Sequence, residues 1–407
     1  MTQRNDTGAE PAVTARVPAS GRSALLRWLA SYGSFGVPQA AAPIAFALLT
    51  LPLTGSASHG AALVAAMTTA QVLAAIPLSR LGVRFDARSY LRALVAVRTA
   101  GLVLVAVLAA AGAPFALLMA AAALAGAVNG AAHGYLRLLL NHITTPDRMP
   151  RALGIAATLN EVTFAAAPVV ASVAGSLSPV WAVVGLAVTG MAPVFLVPVT
   201  AGAHVAAPEG GPPMRLPRLV HLWLFCAAAG SAAVAAVEVG AVSLALRYGL
   251  EAGWGFLFAL SLCLGSICGG LWVSVRNRMA SRPEVLVFLG STTVGTCLVA
   301  AQGQLWVTLL GAAAVGFFLP PLGTYFSLVL DQLAPAHRRA EVFALMRTAN
   351  ALGVIAISGL LAITGITAAL SGSALLMAVA TLLVALTFVA GRRPGDWRHR
   401  SSAAVID

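Results

Sequence analysis

Between Tyr32 and Ala390 the chain alternates apolar stretches of about twenty residues with short polar breaks, about twelve times over. A helix rises about 1.5 Å per residue, so roughly 18 or more apolar residues cross the ~30 Å hydrocarbon core of a bilayer. The pattern predicts spans one to six at Tyr32–Pro52, Ala61–Leu78, Ala93–Ala111, Phe115–Tyr135, Ala152–Gly175 and Val180–Val199. Spans seven to twelve follow at Val220–Leu246, Trp254–Val275, Val285–Ala301, Leu305–Leu328, Phe343–Thr364 and Ala368–Ala390. Lipid offers no water to backbone groups, so only helices or closed barrels cross it, and these stretches are too long for barrel strands.

The longest internal break, Ala201–Pro217, reads AGAHVAAPEGGPPMRLP. Its Pro and Gly content forbids a regular helix and predicts a flexible linker between six-span halves at 28–200 and 218–391. The halves echo one another: PRALGIAATLNEV opens span five and HRRAEVFALMRTAN opens span eleven. The basic loop Arg80–Arg92 after span two corresponds to Arg276–Arg282 after span eight. The fold class is therefore all-α membrane, about twelve transmembrane helices as two pseudo-symmetric six-helix bundles around a central cavity. Residues 1–27 lack an apolar core followed by a cleavage site and read as a disordered tail, and 392–407 as a second tail.

Composition closes the soluble alternative: 59% of residues are hydrophobic and 9% charged, against roughly a quarter charged in soluble domains. The net charge of +12 comes from arginine alone, with no lysine. Arg80, Arg84, Arg88 and Arg92 follow span two; Arg137, Arg148 and Arg151 follow span four. Arg215 and Arg218 precede span seven, Arg276, Arg278 and Arg282 follow span eight, and Arg338 and Arg339 follow span ten. The opposite loops hold only Arg247. Positive-inside bias then puts both termini in the cytoplasm of a multi-pass inner (plasma) membrane protein, which requires an even number of spans. This distribution fits topology rather than nucleic-acid binding. Cys226, Cys263, Cys268 and Cys297 all fall in apolar spans and read as buried thiols, with no zinc-site spacing and no cofactor implied.

The chain resembles the major facilitator superfamily from about Tyr32 to Ala390. GVRFDARSYLR after span two is similar to that family's G-x-x-x-D-R-x-G-R-R, with Gly82, Asp86 and Arg88 in place and the second Gly missing. GSICGGLWVSVRNR in the second half keeps Gly265, Gly269 and Gly270 and the basic Arg276 and Arg278. NEVTFAAAPVVASVAG in span five looks like the antiporters' Gly-Pro motif, with Ala167-Pro168 in its place. The buried arginine that proton-driven members carry in span four has no counterpart within Phe115–Tyr135. The resemblance implies a monomeric drug- or metabolite-efflux antiporter with Gly82, Asp86 and Arg88 as its conformational-switch loop.

Charge inside a bilayer costs at least about 2.5–3.5 kcal/mol at a helix centre, so intramembrane carboxylates are functional candidates. Glu161 lies near the middle of span five; it reads as a proton-coupling site or a counter-ion for a cationic cargo, or as a protonated carboxyl bonded to a neighbouring helix. Glu238, late in span seven, is the second proton-coupling candidate, because the resemblance puts that span beside the cavity; the alternative is a pairing with Arg247. Arg98 and Arg347 lie one to two turns inside spans three and eleven. For Arg98, snorkelling to the interface suffices; Arg347 is a candidate for an anionic cargo group.

Span four carries a Gly126, Gly130, Gly134 stripe for close helix approach, with Asn129 and His133 on a face beside it. Span ten holds Phe317, Phe318, Thr324 and Tyr325 around Pro320-Pro321, adjacent prolines expected to bend or break the helix and to line a cavity with aromatic rings. Tyr32 and Gln39 of span one complete the candidate wall.

No GxxxxGK[ST] loop is present, which removes the ATP-hydrolysing class. The six Asp residues never cluster, as a lipid-modifying enzyme binding Mg²⁺-pyrophosphate would require. The sequence reads as a non-enzymatic secondary transporter exporting a small amphipathic or hydrophobic molecule, coupled to protons. Import of an apolar metabolite stays open.

Overall fold

The computed structural model describes residues 21–54, 58–199 and 216–390. Twelve helices are long and apolar enough to cross a membrane, and no strand occurs among the described residues. Spans one to six are Arg22–Thr54, His59–Arg84, Ala87–Ala110, Phe115–Ile143, Pro146–Gly175 and Pro179–Leu196. Spans seven to twelve are Arg218–Glu238, Phe256–Arg276, Arg282–Ala301, Leu305–Leu333, Ala336–Leu361 and Ile366–Val389. The expected tails and most of the 201–217 linker lie outside the described residues.

Three boundaries differ from the hydropathy reading in ways that matter. Span four runs to Ile143 rather than Tyr135. Its last turns, LRLLLNHI, bury Leu136, Leu138, Leu139 and Leu140 around Arg137, so the arginine assigned to a loop is inside the helix. Span seven stops at Glu238, and the chain turns through Val239 and Gly240 into a short helix, Ala241–Arg247. Span ten does not break: Leu305–Leu333 is one helix with Pro320 and Pro321 inside it. Pro321 frees the carbonyl of Phe317, and Gly269 of span eight packs directly over that oxygen. The absent side chain lets the neighbouring backbone cover what the proline leaves open.

Spans one to six pack mainly among themselves, as do seven to twelve. The halves meet where span five lies on span eight and where span eleven crosses the ends of spans two and four. Glycine sets these distances. A Cβ on Gly154 would stand 2.6 Å from Ser274 Oγ and 2.8 Å from the Gly270 carbonyl. Gly134, the last of the span-four stripe, packs on the Ala340 carbonyl of span eleven.

Polar groups tie the same level together, at the arginine-rich face. Arg80 reaches Glu341 at 2.9 Å, and Arg338 holds the same carboxylate at 2.7 Å. On the other side of the pseudo-axis Asn277, in a left-handed conformation (φ 44°), ends span eight. Its side chain accepts from the Arg151 backbone N–H at 3.0 Å and donates to the Asp147 carbonyl at 2.8 Å. Asn141 donates to Asp331 across the halves at 2.6 Å.

The hydrophobic clusters follow the same division. One cluster of the first half, centred on Trp28, Tyr135 and Leu139, takes in Ala340 of the second half near the arginine-rich face. The other, around Phe46, Leu63 and Leu102, contains first-half residues only. The halves are thus joined at the arginine-rich face and part toward the opposite one.

The switch-loop candidates are held locally. Asp86 accepts from the Ser89 backbone N–H at 2.8 Å and so caps span three. Arg88 donates to the Val197 carbonyl at 3.2 Å, and Gly82 packs tightly against Tyr90 and Tyr135. The cysteines are unpaired, but only Cys226 is buried; Cys268 and Cys297 are exposed on helix surfaces, so the reading of four buried thiols holds for one fully.

Candidate functional site

A cavity of about 390 Å³ lies between the halves. From the first half it is lined by Tyr32 and Gln39 of span one, His133 and Arg137 of span four, and Asn160 and Glu161 of span five. The second half supplies Glu238, Ser266, Thr324, Arg347 and Asn350. Phe164, Leu262, Met346 and Val354 add apolar wall between these polar groups.

The charges are sorted by depth. Arg137 lies six residues from the Ile143 end of span four, about 9 Å along the helix from the arginine-rich face. Arg347 lies eleven residues into span eleven, about 16 Å. Glu161 follows fifteen residues into span five, about 22 Å, and Glu238 twenty residues into span seven, about 30 Å. The cavity therefore has a cationic floor toward the joined face and carboxylates toward the parted one. Glu161 has Ser266 of span eight and Asn160 as side-chain partners, and it lies close enough to Glu238 for the two carboxyls to interact.

The arginines are held by neutral partners. Arg137, 3% exposed, donates from Nε to Ser327 Oγ of span ten at 2.7 Å and from Nη1 to Asn141 at 2.7 Å. Its guanidinium carbon sits 4.6 Å over the Phe343 ring, a cation–π contact. Arg347 donates across the halves to Gln39. Tyr32 and His133 sit in the field of both guanidinium groups.

Of the residues nominated from sequence, Tyr32, Gln39, His133, Glu161, Glu238, Thr324 and Arg347 reach the cavity wall. Asn129, Phe317, Phe318 and Tyr325 do not. Phe317 and Phe318 pack edge-to-face at 5.1 Å and join Trp272 and Phe288, while Tyr325 packs on Trp223 at 5.2 Å. With the helix unbroken, its 100° rotation per residue aims these rings away and brings Pro320, Gly323 and Thr324 to the wall.

Asn129 is the hub of a buried network beneath the site. It donates to Gln39 at 2.8 Å and to Gln71 at 2.7 Å, and accepts from Arg98 at 3.2 Å. Arg98 does not snorkel to the interface. It is 3% exposed, donates to the carbonyls of Phe35 at 3.0 Å and Gly190 at 2.7 Å, and stacks 4.1 Å from the Phe35 ring centre.

Sequence reasoning missed Arg137 as a site residue and found no buried arginine in span four. The signal was there: leucines flank the arginine on both sides, LRLLL, which extends an apolar helix rather than starting a loop. Among the described residues no three His, Cys, Asp or Glu side chains group to hold a metal ion.

A family model described as Major Facilitator Superfamily matches residues 27–358. No curated protein matches at a significant level. Among solved structures, a bacterial homologue of the iron transporter ferroportin, in an outward-facing state, superposes with a TM-score of 0.77 at 14% identity, covering 92% of this chain and 99% of that one. The E. coli fucose:proton symporter gives 0.72 at 13% identity, covering 90% and 99%. A human organic anion transporter gives 0.67 at 12% identity, covering 90% and 100%. At these identities the likeness establishes the fold.

Proposed function

The chain belongs to the Major Facilitator Superfamily, and on that premise we propose that it exports a small amphipathic compound in exchange for protons by alternating access. The observation that carries this reading is the pair Glu161 and Glu238, one carboxylate from each half, on the wall of one cavity. A carboxyl held in a low-dielectric wall trades protons with whichever side the cavity faces. The fucose:proton symporter among the fold neighbours supports proton coupling as something this architecture accommodates.

The arginine excess of one set of loops assigns that face to the cytoplasm of the inner membrane, with both termini inside. The cavity of this state is then closed to the cytoplasm and parted toward the outside. In the cycle we infer, protons arriving from outside at Glu161 and Glu238 accompany release of the cargo. The contacts of Glu341, Asn277 and Asn141 then separate, the cavity turns inward, protons leave and new cargo enters. The two six-helix halves serve as the rocking bodies, and Gly82, Asp86 and Arg88 steady the end of span two.

The test is transport by the purified protein in proteoliposomes, screened over lipophilic cations, neutral antibiotics and amphipathic anions. For the true cargo, an imposed pH gradient drives movement opposite to the protons, and a protonophore abolishes it. Cargo moving equally well without the gradient, or in the same direction as the protons, would overturn the exchange reading.

A further inference from the structure

The wall of the cavity holds two guanidinium groups that no carboxylate contacts; Asp331 reaches Arg137 only through the intervening Asn141. Neither Arg137 nor Arg347 pairs with a carboxylate among the described residues, whose ion pairs all lie at the arginine-rich face. Each also keeps a buried donor without a partner, Nη2 of Arg137 and Nε of Arg347. The nearby Asn350 Oδ1, on the same wall, is unpartnered as well. A buried cation that is neither paired nor fully hydrogen-bonded is costly to keep. Neutral neighbours position the pair, Ser327 and Asn141 for Arg137 and Gln39 for Arg347, and leave each guanidinium without a carboxylate in contact.

We propose that the cargo carries an anionic group, a carboxylate, sulfonate or phosphate ester, that seats between Arg137 and Arg347 and supplies the contacting counter-charge that the wall lacks. This deepens, and rests on, the transport reading above. Guanidinium suits such a group because its donors match the oxygens of an oxyanion in planar, bidentate pairs. Arg137 belongs to the first half and Arg347 to the second, so an anion held by both bridges the bodies that must move together. The apolar part of the cargo lies along Phe164, Leu262, Met346 and Val354, toward Glu161. The carboxylates stand on the parted side, outside ion-pair reach of the guanidinium groups, so proton and anion do not compete for one position.

The test is equilibrium binding of three probes with one ring, 1-naphthoate, 1-naphthalenemethanol and 1-naphthylmethylammonium, to the full chain in detergent. The wild type is expected to bind the naphthoate about tenfold or more tighter than the alcohol, with the ammonium weakest. Arg137→Gln and Arg347→Gln are each expected to weaken naphthoate by about tenfold or more and the alcohol by clearly less, so that the preference for the anion shrinks. Arg137→Lys and Arg347→Lys keep the charge and lose only part of the preference, which separates loss of the anion seat from loss of the fold. The proposal falls if the alcohol or ammonium binds as tightly as the naphthoate, if no probe binds, or if both Gln variants keep wild-type affinity for the anion. Binding in detergent needs no gradient, so a protein that binds naphthoate but carries it under no gradient would refute the transport reading and leave the anion seat standing.

Discussion

Gly154→Leu is expected to stop transport almost completely while the protein still inserts and folds. Span five meets span eight at this glycine, and a Cβ there would stand 2.8 Å from the Gly270 carbonyl and from the Ser274 backbone nitrogen. Both obstacles are backbone atoms, which cannot rotate aside as a side-chain end could. The leucine is tolerated when the halves separate at the arginine-rich face and excluded when they join. Overpacking costs about 1–3 kcal/mol or more, and a bias of about 3 kcal/mol shifts a two-state population roughly a hundredfold. Spin labels at Arg148→Cys and Arg278→Cys, on exposed turns that flank this contact, read the outcome directly once the four native cysteines are replaced by alanine. The interlabel distance should lengthen in the Leu variant. Wild-type transport and an unchanged distance would mean that the span five–span eight contact is not part of the cycle.

Asn129→Leu is expected to cost about 2–4 kcal/mol of stability, one of the largest penalties of any single change near the site. Asn129 is 4% exposed and ties together Arg98, Gln39 and Gln71. Gln71, itself 2% exposed, already has an unpartnered Nε2, and the substitution removes its Oε1 partner too. Arg98 loses its one side-chain acceptor and keeps the carbonyls of Phe35 and Gly190. Asn129→Asp keeps an acceptor facing Arg98, so its thermal midpoint should fall less than that of the leucine variant. Midpoints in detergent, with and without cargo, separate the two roles open to this residue. A stable Leu variant with weakened cargo affinity would return Asn129 to the cavity wall.

The contrast between Asn129 and Glu161 shows what hydropathy carries. Span existence depends on a sum over some twenty residues, which tolerates local ambiguity, and all twelve were legible. The mid-span position of Glu161 was legible too, whereas Arg347, expected one to two turns inside span eleven, lies eleven residues in, or about three turns, because that helix starts earlier than its apolar stretch. Rotation about the helix axis was not legible. Span ten is apolar around its whole circumference, so nothing in LWVTLLGAAAVGFFLPPLGTYF says which side faces a partner. That side is set by close packing on span eight, where Gly265 and Gly269 meet Ala313 and Phe317 and where Gly316 of span ten meets Leu262, and this is tertiary information. Arg98 and Arg137 were misread for a related reason. A charge near a span end satisfies the snorkelling and loop rules by position alone. Only the acceptors brought by other helices, the Phe35 and Gly190 carbonyls and Ser327, decide that each stays inside.

Proton coupling through Glu161 is the claim on which the functional account turns, and one measurement reaches it most directly. Glu161→Gln, reconstituted beside the wild type, is assayed for two activities with the same cargo: net movement driven by an imposed pH gradient, and cargo-for-cargo exchange with no gradient. The account predicts that the variant loses gradient-driven movement and keeps exchange, because the amide preserves the hydrogen-bonding reach to Ser266 and Asn160 but cannot pick up or release a proton. Gradient-driven movement at the wild-type rate in Glu161→Gln would contradict it, and would leave Glu161 a structural partner of span eight.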